Sequence, residues 1–276
     1  MTTIAVTGST GVLGRMVAEQ LAAAGIQQRL LVRSPERAPQ LAGATVVQSD
    51  YSSVTDQLDG VDVLFMVSAA EDEHRRDQHS AFVDAAARAG VGHIVYTSFY
   101  GASPTATFTL ARDHDLTEQR IAATGMAHTF LRDNLYLDFM DALVGDDGVI
   151  RGPAGDGRVA AVAREDIARV AAAVIQSPAS HRNTTYNLTG SEALTLAEVA
   201  AILSAHRGTE VRFQNETHEE AYASREKYGA PGWQVDAWVS TYTAIASGEL
   251  SGVSNDVQLV TGLPPLTLAE LLARWP

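Results

Sequence analysis

An α/β fold built on a doubly wound parallel sheet is predicted by three features of this chain. Short β-branched runs alternate with longer Ala-rich stretches through the first half. One run, Val61-Asp62-Val63-Leu64-Phe65-Met66-Val67, is nearly continuously apolar, as expected of a strand buried on both faces. A glycine-rich turn, Thr7-Gly8-Ser9-Thr10-Gly11-Val12-Leu13-Gly14, joins the first run to the first helical stretch.

Taken in order, the predicted strands are Thr3 to Thr7, Arg29 to Val32, Thr45 to Gln48, Val61 to Val67, His93 to Thr97 and His128 to Leu131. Apolar residues at three- and four-residue steps predict helices over Leu13 to Ala24 and His74 to Ala89. The charged run Glu71-Asp72-Glu73-His74-Arg75-Arg76-Asp77 reads as the solvated start of the second helix. After about residue 145 the texture changes, and Gly145-Asp146-Asp147-Gly148 with Gly152-Pro153-Ala154-Gly155-Asp156-Gly157 predicts turns or a hairpin. Arg164, Glu165 and Asp166 resemble the start of a helix that returns to the first domain, where carboxylates favour the positive helix end. Further on, Thr195-Leu196-Ala197-Glu198 and Thr267-Leu268-Ala269-Glu270 are capping boxes, in which the Thr hydroxyl and the Glu carboxylate satisfy helix-end N–H groups reciprocally. The expected organisation is a doubly wound domain over 1–145 and a smaller, covering α/β region over 146–276, some of whose elements return to the first.

The 276 residues are 46% hydrophobic and 19% charged, which is ample for a core. The 20 Lys plus Arg against 33 Asp plus Glu leave a net charge of −13, which opposes nucleic acid and anionic membranes because both need a basic patch. No apolar run approaches the roughly 18 residues of a membrane-spanning helix. Met1-Thr2-Thr3 runs straight into Ile4-Ala5-Val6 without the regions of a signal peptide, so a cytoplasmic location is expected. The absence of cysteine excludes disulfides, thiolate nucleophiles and thiolate metal sites. His74 and His79 fall on different faces of their helix, and no metal site is expected.

The glycine turn follows a predicted strand and opens a predicted helix. In that setting backbone N–H groups at a helix N-terminus can receive a pyrophosphate, and the glycines allow a sharp turn, close approach and helix-on-strand packing. The turn therefore predicts dinucleotide binding by Thr7, Gly8, Ser9, Thr10, Gly11, Val12, Leu13 and Gly14. The second strand ends Leu31-Val32-Arg33-Ser34, with no carboxylate for a ribose 2′-OH. Arg33 offers a charged donor fork and Ser34 a hydroxyl, which favours NADP(H) over NAD(H). The alternative is a solvated Arg33 and a Ser34 that only caps the turn before Pro35. Asp50 and Tyr51 fall where an adenine would lie, and Ser68 and Ala69, past the fourth strand, complete the candidate cofactor-binding residues.

The Gly8, Gly11, Gly14 spacing is that of extended and atypical short-chain dehydrogenase/reductases. Typical members of that superfamily activate a Tyr with a Lys four residues on. The single lysine here is Lys227, and position 223 is Ala, so that pair is absent. In the corresponding region His114 and Glu118 lie one helical turn apart. Together with Ser49-Asp50-Tyr51, Val91-Gly92-His93-Ile94-Val95-Tyr96-Thr97-Ser98, Tyr186-Asn187-Leu188, Ser247-Gly248-Glu249 and Ser254-Asn255-Asp256, these residues resemble the NmrA-like group of atypical short-chain reductases. The resemblance is closest to its branch of NADPH-dependent quinone reductases of the second type and triphenylmethane-dye reductases. It departs at Leu131-Arg132-Asp133-Asn134-Leu135-Tyr136, where Asp133 stands for the family's Asn and Asn134 for its Gly or Ala. An ionised Asp only accepts hydrogen bonds, whereas an Asn amide both donates and accepts.

The resemblance implies a Rossmann fold and a hydride transfer from NADPH to a small quinone-like or other conjugated aromatic acceptor, possible without an obligate acid because the reduced product is stabilised. His114, Ser98 and Tyr136 are the candidate catalytic residues. His114 is either a proton donor or pocket residue, or a structural hydrogen-bonding group. Ser98, without the usual Tyr partner, is assigned to positioning substrate or nicotinamide rather than to proton transfer. Phe99, Tyr100, Phe108, Tyr136, Phe139, Trp233 and Trp238 are candidates for an aromatic acceptor pocket, against core packing. The alternative function is a non-catalytic NADP(H)-binding sensor. Neither a nucleic-acid nor a membrane partner is expected, and a homodimer is left open.

Overall fold

The computed structural model describes residues 2–54 and 56–275. The elements are β1 (Ile4–Thr7), α1 (Val12–Ala23), β2 (Gln28–Val32), β3 (Ala44–Gln48), β4 (Val63–Met66), α2 (Arg75–Arg88), β5 (His93–Phe99), α3 (Thr109–Ala123), β6 (Ala127–Asp133), β7 (Val149–Gly152), β8 (Arg158–Val159), α4 (Arg164–Gln176), β9 (Thr184–Leu188), β10 (Leu194–Thr195), α5 (Leu196–Arg207), β11 (Arg212–Asn215), α6 (His218–Arg225), α7 (Gly232–Ala246), α8 (Asp256–Thr261) and α9 (Leu268–Leu272). All six predicted strands form, with ends moved by one or two residues.

Seven strands make one sheet in the order β3-β2-β1-β4-β5-β6-β9. The pairs from β3 to β5 are parallel, with Val6 opposite both Leu30 and Phe65. Between β5 and β6, the Ala127 N–H donates to the Gly92 carbonyl and the Tyr100 N–H to that of Asp133, so these strands also run in one direction. The bonds from Asn183 N–H to the His128 carbonyl and from Asn134 N–H to that of Leu188 orient β9 the same way. The reversal of strand order beside β1 is the mark of a doubly wound sheet, whose ligands bind beyond the carboxyl ends of the strands.

The burial follows from the residues. Every residue of β1, β4 and β5 is buried, whereas the edge strand β3 has no fully buried residue. In α1, Leu13, Val17 and Leu21 recur at four-residue steps and are buried, and α4 packs on this helix. The edge strand β9 was not expected, because Thr184-Thr185-Tyr186-Asn187 is only partly buried and carries neither the alternation nor the apolar run that marks a strand.

Two compact units divide the chain, one formed by 1–98, 113–132 and 164–186, the other by 99–112, 133–163 and 187–276. In the first, Leu58, Leu64, Met66, Phe82, Ile94, Tyr96 and Ile121 belong to one core. Its α4 is the helix expected at Arg164, with Glu165 and Asp166 in the first turn. In the second, Ile150, Leu196, Leu203, Ile245 and Leu268 belong to another core. The glycine-rich stretch of this unit does form turns, but not a hairpin between its two strands. β7 pairs in parallel with β11, β8 pairs antiparallel with β10, and one isolated antiparallel bridge, Val144 to Ile150, spans the Gly145 turn. Both expected capping boxes form, and a third at Thr217 and Glu220 opens α6.

Candidate functional site

At the carboxyl end of β1 the chain turns through Gly8 in the left-handed region, φ 66°, and the Gly11 N–H returns to the Gly8 carbonyl at 2.9 Å. A Cβ on Gly14 would stand 2.4 Å from the Gly8 carbonyl, so the first turn of α1 approaches β1 more closely than any side chain permits. No side chain caps α1 at Gly11 and no acidic residue lies in its first turn. Its leading N–H groups therefore face outward with the positive end of the helix dipole. Ser9 is fully buried, and its hydroxyl has no partner among the described residues. An uncapped helix N-terminus, an orphaned hydroxyl beneath it and a glycine cradle fit a phosphate-bearing ligand such as a dinucleotide.

The flanking candidates fall at neighbouring strand ends. Arg33 is exposed at the end of β2, and its guanidinium has no hydrogen-bond or ion-pair partner among the described residues. Ser34 precedes the single 3₁₀ turn Pro35–Arg37 without a side-chain capping bond. Asp50 accepts from the Ser52 N–H at 2.7 Å, closing a local turn after β3. Tyr51 reaches back under β1: its hydroxyl donates to the Val67 carbonyl at 2.5 Å and lies 2.7 Å from Thr7 Oγ1, while its ring stacks on Phe82 at 4.2 Å. Burial pushes this phenol up from its ordinary value.

The segment Val67 to Ala69, which follows β4, is held along its backbone by side chains. The Val67 N–H donates to Thr7 Oγ1 at 2.9 Å, that of Ser68 to Thr97 Oγ1 at 2.8 Å, and that of Ala69 to His79 Nε2 at 2.9 Å. The Ala69 carbonyl accepts from Arg75 Nε at 3.0 Å. The backbone N–H groups of Ser68 and Ala69, two candidate cofactor-binding residues, are thus engaged within the protein.

The charged run Glu71 to Asp77 is exposed as expected of a solvated helix start except at Arg75, which is only 4% exposed. The periodicity of α2 that buries His79, Phe82 and Val83 also carries Arg75 inward, where Asp113 lies 3.5 Å from Nη1. Arg75 Nη2 donates to His114 Nε2 at 2.9 Å. A guanidinium only donates, so His114 Nε2 is the unprotonated nitrogen and Nδ1 carries the ring proton, 3.0 Å from the Tyr96 hydroxyl. His79 has the same tautomer, since its Nε2 accepts from Ala69 and its Nδ1 meets Thr117 Oγ1 at 2.9 Å. Thr117 passes its own proton to the Asp113 carbonyl at 2.8 Å. Burial, with Arg75 beside them, holds His114 well below the ordinary imidazole range and brings His79 down to about 3. Both rings are neutral at pH 7. Ser98 donates to Glu118 Oε1 at 2.5 Å, and Glu118 receives both arms of Arg132, at 2.9 and 2.6 Å.

Tyr136 belongs to the second unit. Its hydroxyl donates to Asp133 Oδ2 at 3.0 Å, and its ring lies 5.5 Å from Phe139. Asp133 is 2% exposed, its Oδ1 has no partner among the described residues, and burial raises its carboxyl well above the carboxylate range. Asn134, equally buried, donates to the Leu250 carbonyl at 2.9 Å and accepts from the Leu135 N–H at 2.8 Å. In the same unit Phe99, Tyr100, Phe108 and Leu250 line a hollow of about 250 Å³, with the Phe99 and Phe108 rings 4.8 Å apart. Trp238 packs edge-on against Tyr228 at 5.9 Å instead. Sequence reasoning missed Arg75 and Asp113 as buried groups. The signal was available in the register of α2, where position 75 lies four residues before His79 and shares its face.

The model of the NmrA-like family matches residues 1–230. Quinone oxidoreductase 2 of Escherichia coli is 36% identical over 98% of both chains, and its crystal structure with NADPH matches with a TM-score of 0.89 over the same share. NAD(P)H azoreductase of Xenophilus azovorans is 32% identical over 97% of this chain and 96% of its own. The structure of Citrobacter sp. triphenylmethane reductase complexed with NADP(H) is 34% identical, with a TM-score of 0.86 over 99% of this chain and all of that one. The glycine turn, the doubly wound sheet and these full-length likenesses agree, and the chain belongs to the NmrA-like family.

Proposed function

We propose that this protein is an NADPH-dependent reductase of small quinone-like or other conjugated aromatic acceptors. The observation that carries the reading is the uncapped N-terminus of α1 behind the Gly8 to Gly14 cradle, with the Ser9 hydroxyl orphaned beneath it. When bound, NADPH supplies the hydride from its nicotinamide. Thr7, Gly8, Ser9, Thr10, Gly11, Val12, Leu13 and Gly14 form the pyrophosphate cradle. Arg33 and Ser34 bind the 2′-phosphate, Asp50 and Tyr51 border the adenine side, and Ser68 and Ala69 wall the crevice. Support for an aromatic acceptor comes from the hollow at Phe99, Tyr100 and Phe108, whose volume of about 250 Å³ falls just below the roughly 300 Å³ at which ligand pockets begin and so suits only a small planar molecule.

A buried histidine that keeps no proton on Nε2 is a poor general acid, and a quinone needs none, because its reduced anion is stabilised. Ser98 donates to Glu118, which is held by Arg132, and the Tyr136 hydroxyl is engaged with Asp133. The partner is a small molecule, and the charge of −13 is repelled by the phosphates of nucleic acid.

The test is the loss of NADPH absorbance with purified protein and a panel of quinones, azo compounds, triarylmethane dyes and aldehydes, with NADH alongside. Turnover in at least one class is expected, and NADPH binding without turnover across the panel would move the assignment to a sensor. Arg33→Ala should lower the preference for NADPH over NADH by about 10- to 100-fold, the worth of a charge-assisted hydrogen bond. An unchanged ratio of the two affinities would remove Arg33 from the 2′-phosphate site.

A further inference from the structure

The helix that carries the acid/base pair in typical short-chain reductases does something else here, and the hydrogen bonds say what. α3 contributes Asp113, His114 and Thr117, and each of them contacts a residue of α2: Asp113 faces Arg75, His114 accepts from Arg75, and Thr117 accepts from His79. Arg75 and His79 then close on the two sides of one peptide residue, Arg75 on the Ala69 carbonyl at 3.0 Å and His79 on the Ala69 N–H at 2.9 Å. Arg75, His79 and His114 are 4%, 1% and 7% exposed, so water does not compete for these bonds. The segment so held begins at Val67, and a Cβ on Gly8 would lie 3.0 Å from the Val67 Cβ. The clamped segment therefore abuts the glycine turn, on the strand next to β1.

We propose that Arg75, His79 and His114 are a clamp on Ala69 that fixes the wall of the nicotinamide-cofactor crevice, with His114 a positioning residue for Arg75 rather than a proton donor. The inference rests on the NADPH reading above. Its chemistry is acceptor-specific: what His114 must present to Arg75 is a lone pair on a neutral group, and any side chain that does so at the same reach serves.

The experiment compares His114→Gln, whose Oε1 can accept from Arg75, with His114→Leu, which cannot. Each variant is checked for folding by circular dichroism. Two quantities are read: the hydrogen-exchange rate of the Ala69 amide in the cofactor-free protein, and the dissociation constant for NADPH by fluorescence. His114→Leu should speed Ala69 exchange and weaken NADPH by about tenfold each, while His114→Gln stays within about threefold of the parent on both. Turnover per bound cofactor should track the same order. If Gln and Leu abolish turnover alike while leaving NADPH affinity and Ala69 exchange unchanged, His114 transfers a proton and the clamp is overturned. If His114→Leu does not fold, Arg75→Lys replaces it, since an ammonium keeps the charge but cannot bridge Ala69 and His114; unchanged exchange and affinity in that variant overturn the proposal. Because Ala69 exchange is read without cofactor, a clamp that holds in a protein that fails to bind NADPH would sink the cofactor reading and the crevice role together, yet leave the hydrogen-bond network standing.

Discussion

Two buried polar clusters in this molecule are completed to different degrees. Around Arg75 in the first unit, both nitrogens of His79 and of His114 have partners, and the positive charge of Arg75 faces Asp113. At the end of β6 in the second unit, Asp133 has one oxygen satisfied by Tyr136, while among the described residues the other has no hydrogen-bond partner and no cation pairs with it. The first cluster can keep a charge in the interior because the compensation is built in. The second lacks that compensation, so burial pushes its carboxyl toward the protonated form. Even with Arg75 Nη1 short of a hydrogen-bond partner among the described residues, the first network holds its geometry through its other bonds, whereas the second acts on the proton affinity of one carboxyl.

The sharpest way to break this contrast is Arg75→Met, which removes the shared donor of the first cluster and takes the Arg75 bond from the Ala69 carbonyl, from His114 Nε2 and from part of the Asp113 charge. A loss of about 3 to 5 kcal/mol in urea unfolding is expected. A change under about 1 kcal/mol would put Arg75 with ordinary surface ion pairs.

The next effect is read from pH. His79 is neutral in the folded protein down to about 3, whereas the unfolded chain takes up a proton near 6.5. The unfolded state therefore binds more protons between these values, and the contribution of His79 to stability is intact above pH 6.5 and lost as pH falls toward 3. Its size at the acid limit is on the order of 4 kcal/mol. His93, brought down to about 4 mainly by burial, acts in the same direction. His79→Gln, which can accept from Ala69 and donate to Thr117 without titrating, should move the acid-unfolding midpoint to lower pH by circular dichroism.

Asp133 has the opposite sign. Burial raises its carboxyl well above the 3.8 of the unfolded chain, so it subtracts stability increasingly as pH rises above 3.8 until its own raised value is passed. Asp133→Asn supplies a neutral group of the same shape and should stabilise the protein at pH 7 by about 1 to 3 kcal/mol, with the gain vanishing near pH 4. A destabilisation at pH 7 would mean that the carboxyl is ionised and compensated. The smallest effect is a reference point outside both clusters: Thr217→Ala removes the capping box of α6 and should cost about 1 kcal/mol in thermal unfolding.

Much of the fold was legible because its signals are local. The strand that becomes β4 is apolar along its whole length, and the helix that becomes α1 repeats at four-residue steps. The capping boxes at Thr195 and Thr267 need only residues three apart. The third box, Thr217 with Glu220, was equally local and was overlooked. β9 was not legible, since an edge strand with partly exposed residues has no pattern of its own and is defined by its neighbour β6. The pairing of β7 with β11 rather than with β8 was hidden for a related reason: a parallel pair gives no turn signal between its strands.

The site divides along the same line. The glycine turn was legible in the sequence alone, because a glycine's lack of a Cβ is the property that Gly8 and Gly14 contribute, and it needs no partner to be recognised. The hydrogen-bond partners of His114, Ser98, Tyr51 and Arg75 were decided only by tertiary structure. Whether an imidazole donates, accepts or titrates depends on what lies within about 3 Å of each nitrogen and on how much water is excluded. Those partners, Arg75, Tyr96, Thr117 and the Ala69 peptide, come from positions up to 39 residues away that the sequence does not align.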